Sequence, residues 1–558
     1  MDDRTPRERL QQRWSSLKNE RSTWDHHWRE ISDYLLPRSG RFFTKKVNDG
    51  GKRHNNIYDN TATRSLRVLS AGMMAGMTSP ARPWFRLATA DLDMMKSDNV
   101  KLWLNTVTRQ MLNVFARSNT YRALHTVYEE LGAFGTASNL ILPDFNNVIH
   151  NHPLTIGEYA LATNAKGEVD TIYREFEMTV SQVVEEFGYK NCSQNTRHMY
   201  DRGNYDYWIT IIHTIEPRRE RDMYKRDPKN MPFKSCYFEQ AGDKYDMLRE
   251  SGFEMFPAVA PRWSVAGGDI YGLAPAMEAL GDIKQLQHEQ LRKAQGIDYQ
   301  TKPPLQVPTA LKNQGVNSLP GGVTYVDATA QNNAIRSAFE VRLDLNHLLQ
   351  DINDVRERIR GSFYADLFLM LANNDLGRMT ATEVAERHEE KLLMLGPVLE
   401  RLHNELLDPM IAMTFTRMVK AGVVPPPPPE MEGMDINVEF VSMLAQAQRA
   451  IGTNSVDRFV GNLGAIAGMK PEVLDKFDAD KWADHYSDML GIDPELITPD
   501  DQVIFIRQQR AQAAQAQAQQ EALMRGADAM GKLGRVNTDP NNPNMATDAV
   551  NMFSGYTG

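Results

Sequence analysis

Residues 380–420 read TATEVAERHEEKLLMLGPVLERLHNELLDPMIAMTFTRMVK. Thr380 and Glu383 form a T-x-x-E capping box, in which each side chain satisfies a free backbone N–H at a helix start. Val384, Leu392, Leu395, Leu399, Leu402, Leu406, Met410 and Met413 then lie on one stripe, in steps of three and four or their multiples. Such spacing predicts a helix with one buried face. Gly396-Pro397 interrupts it. Proline removes a backbone hydrogen bond and its ring presses on the carbonyl four residues back. The stripe keeps register on both sides, so the reading is one kinked helix. At about 1.5 Å per residue it is a rod of about 60 Å. A globular enzyme domain rarely needs such a helix, whereas a large ring or tube can use one.

Working back from this rod, residues 372–379 form a short polar loop containing Asn373, Asn374, Asp375 and Arg378. Before the loop, Leu345, Leu348, Ile352, Val355, Ile359 and Phe363 predict a second long helix over about 344–371. A further helix opens at Pro275, the position where proline fits best. It carries Met277, Leu280, Ile283 and Leu291, and Gly296 is its expected cap. Between these two helices runs a Pro/Gly-rich excursion with short strands at 305–307 and 323–326. The sum is an antiparallel helix pair with a strand-rich tip.

The N-terminal part reads as helical over 4–36, with Leu10, Trp14, Leu17, Trp24, Trp28, Ile31 and Leu35 on one stripe that only Arg21 breaks. A basic loop follows from Arg38 to Arg53. Residues 61–78 form a helix whose Gly72-x-x-x-Gly76 permits close packing, and two more helices are expected near 100–115 and 121–134. From about 139 to 262 the period shortens to that of strands, with a helix at 180–187. Five prolines, Pro425 to Pro429, read as a stiff spacer and a boundary. Small helices are expected over 435–500. The Gln/Ala-rich stretch 501–533 favours helix but has a weak stripe, and so needs identical neighbours. The fold class is mainly α with an α+β outer domain.

The chain has 558 residues, is 41% hydrophobic and 24% charged, and carries a formal charge of −9. This is a multidomain, folded composition. An acidic balance disfavours tight whole-surface binding of nucleic acid but permits a passage through which DNA slides. Two cysteines, Cys192 and Cys236, are too few for a disulfide framework. No apolar run long enough to span a membrane is present. Neither a phosphate-binding G-x-x-x-x-G-K-S/T loop nor a Gly-x-Ser-x-Gly elbow appears. His26-His27 point about 100° apart on a helix and make poor joint ligands. Glu386, Glu389, Glu390 and Glu400 read as a solvated or intersubunit face. No catalytic residue, metal site or cofactor is expected.

The order of these segments resembles the portal, or head-to-tail connector, proteins of short-tailed bacteriophages. The stretches that carry the likeness are Arg13 to Pro37, Tyr58-Asp59-Asn60-Thr61-Ala62 to Phe85, Pro261-Arg262-Trp263 with Tyr271 to Met277, and Arg378 to Val384 with Leu395-Gly396-Pro397. The resemblance implies a ring of twelve subunits at one capsid vertex, a channel for genome packaging and ejection. It divides the chain into wing (1–270), first stem helix (271–299), clip (300–343), second stem helix (344–371), channel loop (372–379), kinked wing helix (380–424), crown and C-terminal barrel (425–536) and flexible tail (537–558). Carried over, Asn373, Asn374, Asp375 and Arg378 approach DNA. Lys284, Arg292, Lys293, Arg356 and Arg360, with Arg358, could line the stem lumen, although salt bridges between subunits in the stem are the simpler reading. Pro303, Pro304, Gln306 and Tyr325 would meet partners at the clip. The implied partners are terminase, tail adaptor and nozzle proteins, major capsid and scaffold or internal core proteins, and double-stranded DNA in transit. The implied place is the virion, assembled in host cytoplasm. A scaffold or tail-tube protein is the competing structural reading, and a DNA-processing enzyme the third.

Overall fold

The computed structural model describes residues 4–42, 51, 56–89, 97–225, 227–243, 247–301, 305–306, 336–337, 346–372, 394–431, 436–442, 459–466, 468, 470, 472, 477–483, 498 and 500–533. The chain divides into two units, Met1–Asn454 and Ser455–Gly558.

Helix α1 spans Pro6–Tyr34. It starts with a capping box: the Thr5 hydroxyl accepts from the Glu8 N–H and the Glu8 carboxylate from the Thr5 N–H at 2.8 Å. Its aromatic stripe divides between two cores. Leu10, Trp14 and Leu17 cover one face of a sheet, while Trp28, Ile31 and Leu35 enter the main core. Arg21, the break in the stripe, is buried. Its guanidinium donates to the Tyr159 carbonyl and pairs with Asp25 at 3.0 Å.

Helix α2 (Thr61–Met77), strand β1 (Phe85–Thr89), α3 (Asp98–Arg117) and α4 (Thr120–Phe134) build the main core. Gly135 ends α4 at φ 73°, and its N–H bonds the Leu131 carbonyl at 2.9 Å. Only glycine suits this place, because the Gly272 backbone occupies the space a Cβ would need.

The short period predicted for 139–262 gives two sheets. Strands β2 (Ser138–Asp144) and β3 (Val148–Leu154) form a hairpin. Strands β4 (Tyr159–Thr163), β5 (Val169–Thr179), β6 (Trp208–Pro217), β7 (Phe233–Glu239) and β8 (Arg249–Phe253) form an antiparallel meander in that order. Between β5 and β6 the chain inserts α5 (Val180–Phe187) and α6 (Gln194–Asp201). Alternation along the strands sends Tyr173, Ile212 and Phe238 toward α1, and Ile211 and Tyr237 toward Val183 and Phe187 of α5. Strand β9 (Ala258–Val259) returns to pair with β2.

Pro275 opens α7 (Pro275–Glu278), which leads into α8 (Leu280–Thr301). The helix runs through Gly296 rather than ending there, because Gly296 is buried inside it. Strands β10 (Leu305–Gln306) and β11 (Arg336–Ser337) pair antiparallel at the tip. The expected single helix over 344–371 is two: α9 (Asn346–Ser362) and α10 (Ala365–Ala372). Tyr364, at φ 53°, turns the corner between them. The buried Phe363 and the tilted contact of Tyr364 with Trp263 hold the turn. Helix α10 can then lie on α2, where the Phe368 ring fills the space above Gly72.

Residues 394–402 form α11, followed by a π-helical turn at His403–Leu407 and α12 (Asp408–Lys420). The first unit continues beyond the proline run. Strand β12 (Ile436–Phe440) pairs with β1, Phe85 opposite Phe440. In the second unit, α13 (459–466) and α14 (479–483) bring Phe459, Phe477 and Trp482 together, and α15 spans Asp500–Leu533.

Candidate functional site

Helices α8 and α9 pack antiparallel. Asp282, at the start of α8, meets Arg358 near the end of α9 at 3.3 Å, and Glu289 further along α8 lies beside Asp351 near the start of α9. Ile283 and Leu286 on one helix and Ile352, Val355 and Ile359 on the other are all buried. Burial raises the Glu289 carboxyl, the bond from Gln285 counters this, and the neighbouring Asp351 carboxyl raises it further.

The root of this pair is tied down by Asp59, in the turn before α2. Its carboxylate accepts from the Thr61 N–H and hydroxyl at 2.8 and 2.5 Å, from Gln290 of α8 at 2.9 Å, and from Arg356 of α9 at 3.1 and 2.7 Å. Gln287 of α8 grips the same turn: its carbonyl accepts from the Tyr58 and Asp59 N–H groups, and its amide donates to the Asp59 carbonyl. Burial by itself would raise the Asp59 carboxyl. The bonds from Thr61 and Arg356, with the Arg356 charge, outweigh it and hold the group below the ordinary value.

A second joint lies in the long helix. Pro409 has no N–H, and an ideal turn would press its ring on the Glu405 carbonyl. The chain widens instead, and the Asp408 N–H reaches back five residues to His403. The wide turn presents Glu405 to Arg262. Glu405 accepts from the Arg262 backbone N–H at 3.0 Å and from its guanidinium at 3.2 and 2.7 Å. The same guanidinium donates to the Gly167 carbonyl at 3.0 Å, in the turn between β4 and β5. Next along the chain, Trp263 faces Tyr364 with ring centroids 6.1 Å apart. Tyr271 packs edge-on against Trp28 at 5.1 Å. Residues far apart in sequence thus converge on the base of the helix pair.

Of the five residues expected to line a lumen, Lys284 pairs with Glu30 at 2.8 Å and Arg356 with Asp59 at 2.7 Å. Arg358 pairs with Asp282 and Asp354. These pairs lie within one subunit. Arg292 donates to His288 at 3.4 Å. Lys293 and Arg360 form no ion pair among the described residues. Gln306 takes part in the β10–β11 ladder opposite Arg336. Gly396 and Pro397 lie in α11. Asn373, Asn374, Asp375, Arg378, Pro303, Pro304, Tyr325, Thr380 and Glu383 lie outside the described residues. The sequence places Asp59 in a stretch that carries the family likeness but assigns no role to it, nor to Gln287 or Glu405. The signals were an Asp-x-Thr turn ahead of a helix and a second proline, Pro409, inside the stripe.

Among the described residues no group of three or more His, Cys, Asp or Glu could hold a metal, and no helix is long and apolar enough to cross a membrane. The geometry is that of a braced mechanical joint. It anchors two helices through charge-assisted bonds rather than presenting a nucleophile or base.

A family model described as bacteriophage head to tail connecting protein matches residues 7–497, and the chain belongs to that family. Over 557 residues, 100% of both chains, it is 64% identical to the probable portal protein of Bordetella phage BPP-1. Over 551 residues, 98% of both, it is 45% identical to the portal protein of Salmonella phage epsilon15. A portal, a structural component of the phage head, is the role this membership gives the chain. A solved chain from the virion of a native gene transfer agent particle aligns over 78% of this chain and 91% of its own, at 11% identity and TM-score 0.37. That likeness is too loose to place any part of this chain.

Proposed function

We propose that twelve copies of this chain close a ring at one vertex of a short-tailed phage head. Double-stranded DNA enters and leaves through the channel. The observation that carries the reading is the match, end to end, to relatives named as portal proteins. In this reading α8 and α9 are the stem, β10 and β11 belong to the clip, and the joints at Asp59 and Glu405 hold the stem to the wing. Residues 372–379 are the channel loop. Residues after the proline run contribute to crown and barrel. Terminase docks on the clip during packaging, tail adaptor and nozzle proteins replace it, and capsid, scaffold or internal core proteins meet the wing. The protein provides a passage and no catalysis, the energy coming from the terminase. Lys293 and Arg360, which form no ion pair among the described residues, are the best stem candidates for weak contact with passing phosphates.

Negative-stain micrographs of the purified protein test this. Rings with a central hole are expected, and their absence at any protein concentration refutes the reading. Replacing Asn374 and Arg378 with Ala should leave ring assembly intact and alter DNA retention. Unaltered retention would remove that loop from the channel.

A further inference from the structure

Where the chain returns from α6 to β6, an aromatic cluster of Tyr189, Tyr200 and Tyr205 forms a platform, with Tyr207 and Trp208 following it along the chain. Tyr189, Tyr205, Tyr207 and Trp208 are 39%, 48%, 57% and 48% exposed. The rings of Tyr189 and Tyr200 lie 6.0 Å apart and those of Tyr200 and Tyr205 5.0 Å, both edge to face. The platform is built, not loose. The Tyr207 and Tyr205 carbonyls accept from the Val180 and Ser181 N–H groups at the start of α5, at 2.9 and 3.1 Å. The Tyr189 hydroxyl is held on Asp201 at 2.8 Å. Lys190, Arg197 and Arg202 border it and form no ion pair among the described residues. Tyr, Trp and Arg on a preorganised surface are the composition of an interface anchor.

Elsewhere on the first unit, Pro425 to Pro429 make an exposed ridge. Both ends are pinned: Trp103 donates to the Pro425 carbonyl at 3.0 Å, and Ser97 to the Glu430 carboxylate at 3.1 Å. Pro426, Pro427 and Pro429 are exposed. Pro425 to Pro428 run extended before Pro429 starts a 3-10 turn, and consecutive prolines favour the polyproline form, which loses little entropy on binding and docks into grooves between aromatic rings. The ridge ends in the acid Glu430, and Lys190, Arg197 and Arg202, which form no ion pair among the described residues, outnumber Asp201 and Asp206 beside the platform, so the charges are complementary. Ridge and platform rest on different elements of the fold, each tied to its own support.

We propose that the proline ridge of one copy docks on the aromatic platform of the next. The contact joins two different patches, and a head-to-tail contact of this kind closes a ring when the rotation per copy divides a full turn. The inference rests on the ring reading for its meaning, but the contact can be tested apart from it.

The test uses the full chain with Pro426→Ser and Pro427→Ser, which disables its own ridge. A synthetic peptide of residues 423–430 is titrated against this variant. Saturable binding is expected, weakened at least tenfold by adding Tyr205→Ala and Tyr207→Ala. Absence of saturable binding, or equal binding with both tyrosines removed, overturns the contact whether or not rings form. In the unaltered ridge protein, Tyr205 is replaced by the photocrosslinker p-benzoylphenylalanine. A crosslink to residues 423–430 of another copy is expected. A crosslink within one chain, to any other peptide, or none in a preparation whose micrographs show rings, overturns the proposal and leaves the ring reading standing.

Discussion

Asp59→Ala removes five hydrogen bonds at once and strands Arg356, whose side chain is 33% exposed, beside an empty place. Removing one partner of a buried ion pair costs about 3–5 kcal/mol, whereas an exposed pair contributes about 0–1 kcal/mol. The Asp59 side chain is 6% exposed, so the joint lies nearer the buried limit, but the Arg356 head still reaches water. The expected loss is about 2–4 kcal/mol, after discounting for that half-open partner. Equilibrium denaturation of the first unit's transition measures it. The specific claim is coupling, tested by the cycle Asp59→Ala, Arg356→Met and both together. An interaction of about 1 kcal/mol or more is expected. Additivity within about 0.5 kcal/mol would refute the joint as the source of stability. The pH dependence has a definite sign. The folded carboxyl titrates below its ordinary value, so its contribution is complete above about pH 4 and is lost as pH falls through the lower folded value.

Three further outcomes follow from other contacts. Glu130 is buried and raised to about 7, chiefly by burial, although Thr155 and Ile156 donate to it. The folded state therefore holds the proton more tightly, and stability should fall as pH rises from about 4.5 to about 7, by on the order of 3 kcal/mol. Glu130→Gln should flatten that slope in denaturation curves, and an unchanged slope would assign it elsewhere. Gly72→Ala drives a methyl into the Phe368 ring and should cost about 1–3 kcal/mol. Phe368→Ala in the same chain should recover part of that loss, and no recovery would mean that α10 does not press on α2 there. Glu405→Gln should keep some bonds to Arg262 but lose the charge, lowering stability by about 1–2 kcal/mol. Chemical denaturation measures this, and an effect no larger than that of Glu400→Gln would show the pair to be idle.

Periodicity carried much of the fold because most elements bury one face. Val180–Phe187 and the start of α1 were legible to within a residue or two, since proline and capping residues mark helix ends physically. Gly296 misled because a glycine reads as a stop whether it caps a helix or lies buried inside one. The corner at Tyr364 was invisible. Its left-handed backbone is held by Phe363 and Trp263, contacts that no local pattern encodes. The proline run looked like a boundary, but hydrogen-bonded ends and a strand returning to β1 keep the chain in the same unit. The joints were hidden for the same reason. Asp59 and Arg356, or Arg262 and Glu405, look like ordinary surface charges until tertiary packing brings them together.

The pairing of Phe85–Thr89 with Ile436–Phe440 sets a schedule for synthesis. Strand β1 leaves the ribosome long before its partner exists, and closing so distant a contact is slow. Until then an apolar strand edge stands open, a template for pairing with the wrong chain. A nascent chain stalled or cut at the prolines would keep that edge permanently. A chain ended after Asn454 would carry the strand that covers it. The short segment after the prolines therefore closes a seam that the chain opens near its beginning.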